Sequence, residues 1–337
     1  LRRSRPALLV PAAALACLSP PPAPVEVSDG RTAMGTVLEI TLRAGSEGAG
    51  REALEALFAE AARLDALLTL YDPASELSRL NRAAGQGPVP VAPELASILD
   101  ASLGYARLTG GSFDVTVGPL VALWKRAGET GTAPTAEAIA RARARVGAEQ
   151  IRLTPSGVEL AREGVAVDLG GIAKGWALDR MLPLLRARGI PTALLDFGQS
   201  SVWALGAPPG AKGWRLLARG PDDAPLGVLT LAGQALSVSG SLGQWVEIGG
   251  RRYGHVLDPR SGLPLERRRQ ALVVAPSAAL AEALSKALLI LGEAEGLALV
   301  AAQPGCQGLL ADADGGVWET PGWRAAVRFE PWAPEGV

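Results

Sequence analysis

Between Val165 and Asp179 an apolar run, Val165-Ala166-Val167, meets Asp168, then Leu169, Gly170 and Gly171, and then Ile172-Ala173-Lys174-Gly175-Trp176. Few stretches leave a backbone so little choice. The apolar run predicts a short strand, the paired glycines break it, and the residues after them predict a helix with Lys174 in its first turn. A strand that stops at a glycine turn and feeds a helix presents unpaired backbone N–H groups to an anion. Lys174 adds a mobile positive charge at the same place. Asp168 either satisfies the turn amides or accepts a hydrogen bond from a ligand. A plain strand-to-helix turn with a solvated lysine has the same pattern, so the rest of the chain must decide between them.

Around this turn helical and strand periods mix without βαβ alternation. Leu54, Leu57, Phe58, Ala61, Leu64 and Leu68 recur at helical spacing within a helix expected over 51–68. Further helices are expected over 94–109, near Trp124, over 136–146, and over 278–291, where Gly292 ends the last. Thr32 to Leu42 alternates like one strand. Short strands are expected at 151–153 and 158–160, at 192–195 and 202–205, at 214–218 and 227–231, at 235–239 and at 270–275. Trp245–Ile248 and Tyr253–Leu257 flank Gly249-Gly250 as a hairpin, and three more strands close the chain near Gly308, Val317 and Val327. This reads as an α+β fold, antiparallel sheets with helices packed on them.

A formal charge of −1 over 337 residues leaves no basic excess for a nucleic-acid backbone, so nucleic acid is not an expected partner. Two cysteines, Cys17 and Cys306, exclude a disulfide framework, and the single histidine, His255, excludes a multi-histidine metal site. At the amino end Arg2, Arg3 and Arg5 precede an apolar run ending Ala14-Leu15-Ala16-Cys17, which reads as a signal peptide over 1–17. The run is too short for a permanent membrane helix. Cys17 resembles a lipoprotein site, although Ala14 stands where a larger apolar residue is usual. Residues 18–30, with Pro20, Pro21, Pro22 and Pro24, read as an extended tether, and the folded domain is expected over 31–330. The expectation is an exported, periplasmic protein, held to a membrane only through a lipid at Cys17.

The polar turns, taken in order, resemble the ApbE family of flavin transferases. The resemblance rests on Phe113-Asp114-Val115-Thr116-Val117-Gly118-Pro119-Leu120, Asp168 to Gly175, Ser239-Gly240, and His255-Val256-Leu257-Asp258-Pro259-Arg260-Ser261-Gly262. It covers most of residues 31–330. It implies an α+β domain that binds FAD, moves FMN to a threonine or serine hydroxyl of a target protein and releases AMP, with magnesium beside the pyrophosphate. Met34, Tyr71, Ser112, Phe113, Asp114, Asp168, Lys174 and Val256 are then the expected FAD-binding residues, with Tyr71 able to stack on a ring. His255 is the expected catalytic residue, since an imidazole suits deprotonation of the attacking hydroxyl. Asp258 either orients it or shapes the Pro259 turn, and the turn is favoured.

The expected metal donors are Gly171, Glu282 and Ser285. Here the sequence departs from the family, which carries an aspartate for Glu282 and a threonine for Lys286. An ammonium group has no lone pair for a metal. Three readings stay open: magnesium held through Glu282 and backbone carbonyls near Gly171, Lys286 standing in for the metal's charge, or an exported FAD-binding carrier without transfer activity. An FAD pyrophosphatase is a further alternative. Gln199 also stands where the family commonly has a glycine pair, and could narrow a backbone approach to the ligand.

Overall fold

The computed structural model describes residues 23–241 and 245–333; the expected leader, with Cys17, lies outside the described residues. Its helices, in chain order, are α1 Glu47–Leu68, α2 Glu76–Arg82, α3 Pro93–Leu108, α4 Gly118–Thr130, α5 Ala136–Arg143, α6 Ala173–Ala187, α7 Ala278–Ala301 and α8 Trp323–Ala326. They surround an eight-stranded antiparallel sheet. Its spatial order is Val25–Ala33, Thr36–Ala44, Ala193–Phe197, Ser201–Leu205, Gln234–Gly240, Arg269–Ala275, Gln307–Asp312 and Val317–Glu319. Spatial order equals chain order, so the sheet is a meander, and apart from α8 and Glu330–Pro331, which follow its last strand, every other element is an insertion between neighbours. The longest insertion carries α1 to α6, and α7 is the return between two central strands.

The two-residue period of the strands sorts the core. Val202, Ala204, Leu236, Leu272, Val274, Leu309 and Ala311 face a small three-stranded sheet and α8, around Leu229, Leu231 and the fully buried Trp323. Ala271, Val273, Ala275 and Leu310 face the other way and pack on Leu284 and Leu288 of α7. The central strands are therefore buried on both faces. α1 buries the apolar stripe expected from its spacing, and it starts at Glu47 because the Ser46 hydroxyl accepts the Ala49 N–H.

Several expectations need correction. Thr32 to Leu42 is not one strand but two, joined by Met34 and Gly35, both at positive φ (47° and 75°) as a tight two-residue hairpin requires. The first strand begins at Val25, inside the stretch assigned to the tether over 18–30. Val165 to Asp168 joins no sheet. The strand expected over Tyr253–Leu257 stops at Gly254, placing His255 in a bend. Gly292, at φ 79° and ψ −164°, does end a helix, but a second helical segment follows it directly. Near Val327 there is no strand; α8 and a short pairing of Glu330–Pro331 with the small sheet lie there instead.

Candidate active site

The Asp168 turn is held by side chains rather than by a sheet. The Asn81 carboxamide of α2 donates to the Val167 carbonyl at 2.9 Å and accepts the Val167 N–H at 2.8 Å, the two bonds that a neighbouring strand would have made. The next N–H, of Asp168, donates to the Val115 carbonyl at 2.7 Å. Gly118 permits this approach, because a Cβ there would lie 2.6 Å from the Ala166 carbonyl oxygen. The Asp168 carboxylate accepts the Gly170 N–H at 2.8 Å. Burial raises its pKa above the usual carboxylate range, and the Gly170 bond opposes the shift. α6 then begins behind Ile172 with no side-chain cap.

The start of α7 is closed. Asp179, one helical turn beyond Lys174, accepts the Ala278 and Ala279 N–H groups at 2.8 and 3.0 Å, the Ser277 hydroxyl at 2.7 Å and the Trp203 indole N–H at 2.9 Å. Ser277 also caps its own helix through the Leu280 N–H. The two helix starts touch at Gly175, where a Cβ would lie 2.5 Å from the Ala278 carbonyl oxygen. This fixes the next turn of α7, with Glu282, Ser285 and Lys286, over the Asp168 turn.

Glu282 is 1% exposed; one carboxylate oxygen accepts the Ser201 hydroxyl and the other has no hydrogen-bond partner. A buried charge so placed is costly unless something approaches it. Ser285 turns toward the sheet: its hydroxyl lies 3.0 and 2.8 Å from those of Ser237 and Ser239 and donates to the Glu282 carbonyl at 3.0 Å. Lys286 runs the other way, over Gly171, where a Cβ would sit 3.8 Å from Lys286 Cε and 3.6 Å from the Phe113 ring. Neither Lys286 nor Lys174 makes a hydrogen bond or ion pair among the described residues. Burial pushes the Lys286 ammonium down to about 8; nearby Glu282 opposes the shift and Lys174 adds to it.

The expected site residues fall into two groups. Phe113, Asp168, Gly171, Lys174, Glu282 and Lys286 converge. Ser112 is buried, with its hydroxyl donated to the Thr109 carbonyl at 2.8 Å, and supports the loop carrying Phe113. Asp114 caps the short turn after it, accepting the Thr116 N–H at 2.8 Å and hydroxyl at 2.6 Å, with burial raising its pKa. Val256 packs with Leu265 and Leu280 beside the first turn of α7, and the preceding His255 is exposed. Asp258 is a turn residue, accepting the Arg260 N–H at 2.9 Å and pairing with its guanidinium. Met34 and Tyr71 flank the far end of α1. The Met34 N–H donates to Asp65 at 2.7 Å, and the Tyr71 ring is 91% exposed.

Sequence reasoning passed over Asn81, Asp179, Ser201 and Ser237 as functional residues. A signal existed for one: Ser237 and Ser239, two apart in an apolar strand, put two hydroxyls on one buried face. Asn81 and Asp179 give none, since their partners lie 86 residues and 24 to 100 residues away. A hollow of about 490 Å³ bounded by Arg126 on α4, Arg141 on α5 and Arg145 just beyond α5 shares no residue with the cluster.

The antiparallel meander thus brings together a helix start without a side-chain cap, two lysines with no hydrogen bond or ion pair among the described residues, and a buried carboxylate. Residues 34–310 match the ApbE family, and the chain belongs to that family. An FAD:protein FMN transferase of Klebsiella pneumoniae (strain 342) is 34% identical over 285 residues, 81% of this chain and 80% of its own length. Another from Treponema pallidum (strain Nichols) is 30% identical over 295 residues, 82% and 81% of the two chains. The crystal structure of the ApbE protein from Thermotoga maritima superposes with a TM-score of 0.81 at 27% identity, over 90% of this chain and 100% of that one.

The residues present do not fit the magnesium ion that the family resemblance implies. Magnesium needs a near-octahedral set of oxygen donors. Of the expected donors, Ser285 is engaged by the sheet serines and Glu282 offers one open oxygen. The described residues contain no group of three or more histidine, cysteine, aspartate or glutamate side chains able to hold a metal. Lys286 brings a cation to the same place.

Proposed function

We propose that this chain is an FAD:protein FMN transferase. The observation that carries the reading is the pair of unpaired ammonium groups, Lys174 and Lys286, converging on the uncapped start of α6 beside Phe113. A pyrophosphate is the ligand such a place suits, because backbone N–H groups and two cations face it from different elements. The exposed Tyr71 ring, with Met34 at the hairpin tip, offers apolar surface to a flavin or adenine ring. Asp168, its pKa raised by burial, is the proposed hydrogen-bond partner of a nucleotide group.

In the transfer, the acceptor hydroxyl oxygen forms a bond to the FMN phosphorus. The bond from that phosphorus to the bridging oxygen breaks, and AMP leaves with its electron pair. The hydroxyl proton passes to the His255 imidazole and from there to solvent. The chain's part is to hold the pyrophosphate in line and to neutralise charge on the departing phosphate oxygens. We also propose export to the periplasm, on the strength of the sequence over 1–17; fractionation of cells producing the full chain tests this, and recovery in the cytoplasm rejects it.

Activity is tested by incubating the protein with FAD and a flavoprotein-subunit fragment bearing an acceptor threonine. In-gel flavin fluorescence on the fragment, with AMP release in equal amount, is the expected result. Free FMN with AMP and no labelled fragment would instead identify a pyrophosphatase. Intact bound FAD would identify a carrier.

A further inference from the structure

We infer that Lys286 takes the place of a divalent cation at the pyrophosphate, so that this chain binds and cleaves FAD without magnesium. The inference rests on the transferase reading above. Three observations on different elements carry it. On α7, Glu282 is buried with one oxygen unpartnered, and it lies one helical turn from Lys286 on the same face. At the turn before α6, Gly171 has no side chain, and Lys286 Cε and the Phe113 ring both border the space a Cβ there would take. On the sheet, Ser237 and Ser239 hold the Ser285 hydroxyl away from this space, so the helix turn offers a ligand an ammonium rather than a hydroxyl.

The charges agree with that assignment. Lys174 and Lys286 contribute two positive charges, and Glu282 one negative. A dianionic pyrophosphate then leaves the group at a net charge of about −1 with no metal present. Without an anion, two like charges share a partly buried space, an arrangement that a ligand relieves. Lys286 then faces the oxygens that acquire charge as the bond to AMP breaks, and Lys174 faces the same group from the first turn of α6. An ammonium acts here as a point charge with three donors, without the fixed coordination of a metal.

The test is FAD binding by the full chain, followed by isothermal titration in magnesium and in EDTA, with AMP release measured in parallel. Lys286→Met, Lys286→Arg and Lys286→Thr are compared with the native protein, and their thermal midpoints report folding. The native protein should bind FAD equally in both buffers, and titration of magnesium alone into the apo protein should give no saturable heat. Lys286→Met should lose about 30-fold or more in FAD affinity, with magnesium failing to restore it. Lys286→Arg should retain most of the affinity, and Lys286→Thr should become magnesium-dependent. A native protein that loses tenfold or more in affinity or AMP release in EDTA overturns the inference and leaves the transferase reading standing. So does a folded Lys286→Met protein that binds FAD as the native one does. Failure to bind FAD in either buffer overturns both.

Discussion

The starts of α6 and α7 lie against each other and are built in opposite ways. α6 begins without a side-chain cap, behind a glycine turn whose geometry is set by Asn81 and Val115. α7 begins under a double cap, from its own Ser277 and from Asp179 on α6. Unpaired N–H groups at a helix end need partners. At α7 the protein supplies them and so fixes that helix as a support. At α6 the Leu169 carbonyl accepts the Ile172 and Ala173 N–H groups, and the Lys174 and Gly175 N–H groups are left without a partner among the described residues. The ligand-facing start therefore carries the flexible cationic side chain of Lys174 on an open turn, while the closed start positions Glu282 and Lys286 one turn further in. The departures at Glu282 and Lys286 fall on the closed helix, and Asp179 is what brings them to bear on the open one.

The comparison can be broken most severely at Asp179. Asp179→Ala removes the acceptor of four hydrogen bonds and leaves partly buried donors unpaired, for an expected loss of about 3 kcal/mol. Urea unfolding measures it, and a loss under about 1 kcal/mol would mean that Ser277 alone suffices to cap α7.

Next is Asn81→Ala, which strips both backbone bonds from Val167 and should lower stability by about 2 kcal/mol. FAD affinity should fall with it. Unchanged affinity in a destabilised but folded variant would show that the open turn keeps its shape without Asn81.

Lys174→Gln should leave the unfolding midpoint in place, since the ammonium has no partner among the described residues. It should weaken FAD binding by about tenfold, or about 1.4 kcal/mol. An equal effect on stability and binding would place Lys174 in the support rather than the site.

A smaller effect concerns pH. The native Lys286 ammonium titrates near 8 against an ordinary value of 10.5, with Glu282 and Lys174 as the charges that face it. Between those values the unfolded chain holds more protons than the native one, so stability rises with pH across that window. Urea midpoints from pH 7 to 10 should therefore show an upward contribution in the native protein that Lys286→Met lacks. The same slope in both proteins would assign it to another group.

Smallest is Gln199→Gly. Gln199 sits at φ 57° in the hairpin tip beside Gly198, whose missing Cβ would lie 2.4 Å from the Thr36 hydroxyl. Relief of the left-handed conformation should add about 0.5 to 1 kcal/mol. FAD binding measured on the same variant tells whether the glutamine narrows the approach to the ligand.

The class of fold and the order of its polar turns were legible in the sequence because both depend on local periods. Helical spacing in α1 and the alternation of the central strands survive any tertiary context. Legibility failed where a side chain replaced a neighbouring strand. Val165 to Val167 has the composition of a strand, yet both backbone bonds of Val167 go to Asn81, which no window around residue 165 contains. His255 was placed within a strand because Tyr253 to Leu257 is apolar enough for one, but the pairing ends at Gly254.

What the sequence determined by itself is the set of groups: one histidine, a lysine after two glycines, and a glutamate and a lysine where the family has an aspartate and a threonine. Chain order fixes their identity and charge. Tertiary structure decided their meaning. The Asp179 cap and the contact at Gly175 set the angle at which α7 lies on α6, and the sheet serines turn Ser285 away from the open turn. Lys286 is thereby left over Gly171 without a partner. That outcome depends on contacts between residues about a hundred positions apart, and such contacts leave no mark on the local pattern of the chain.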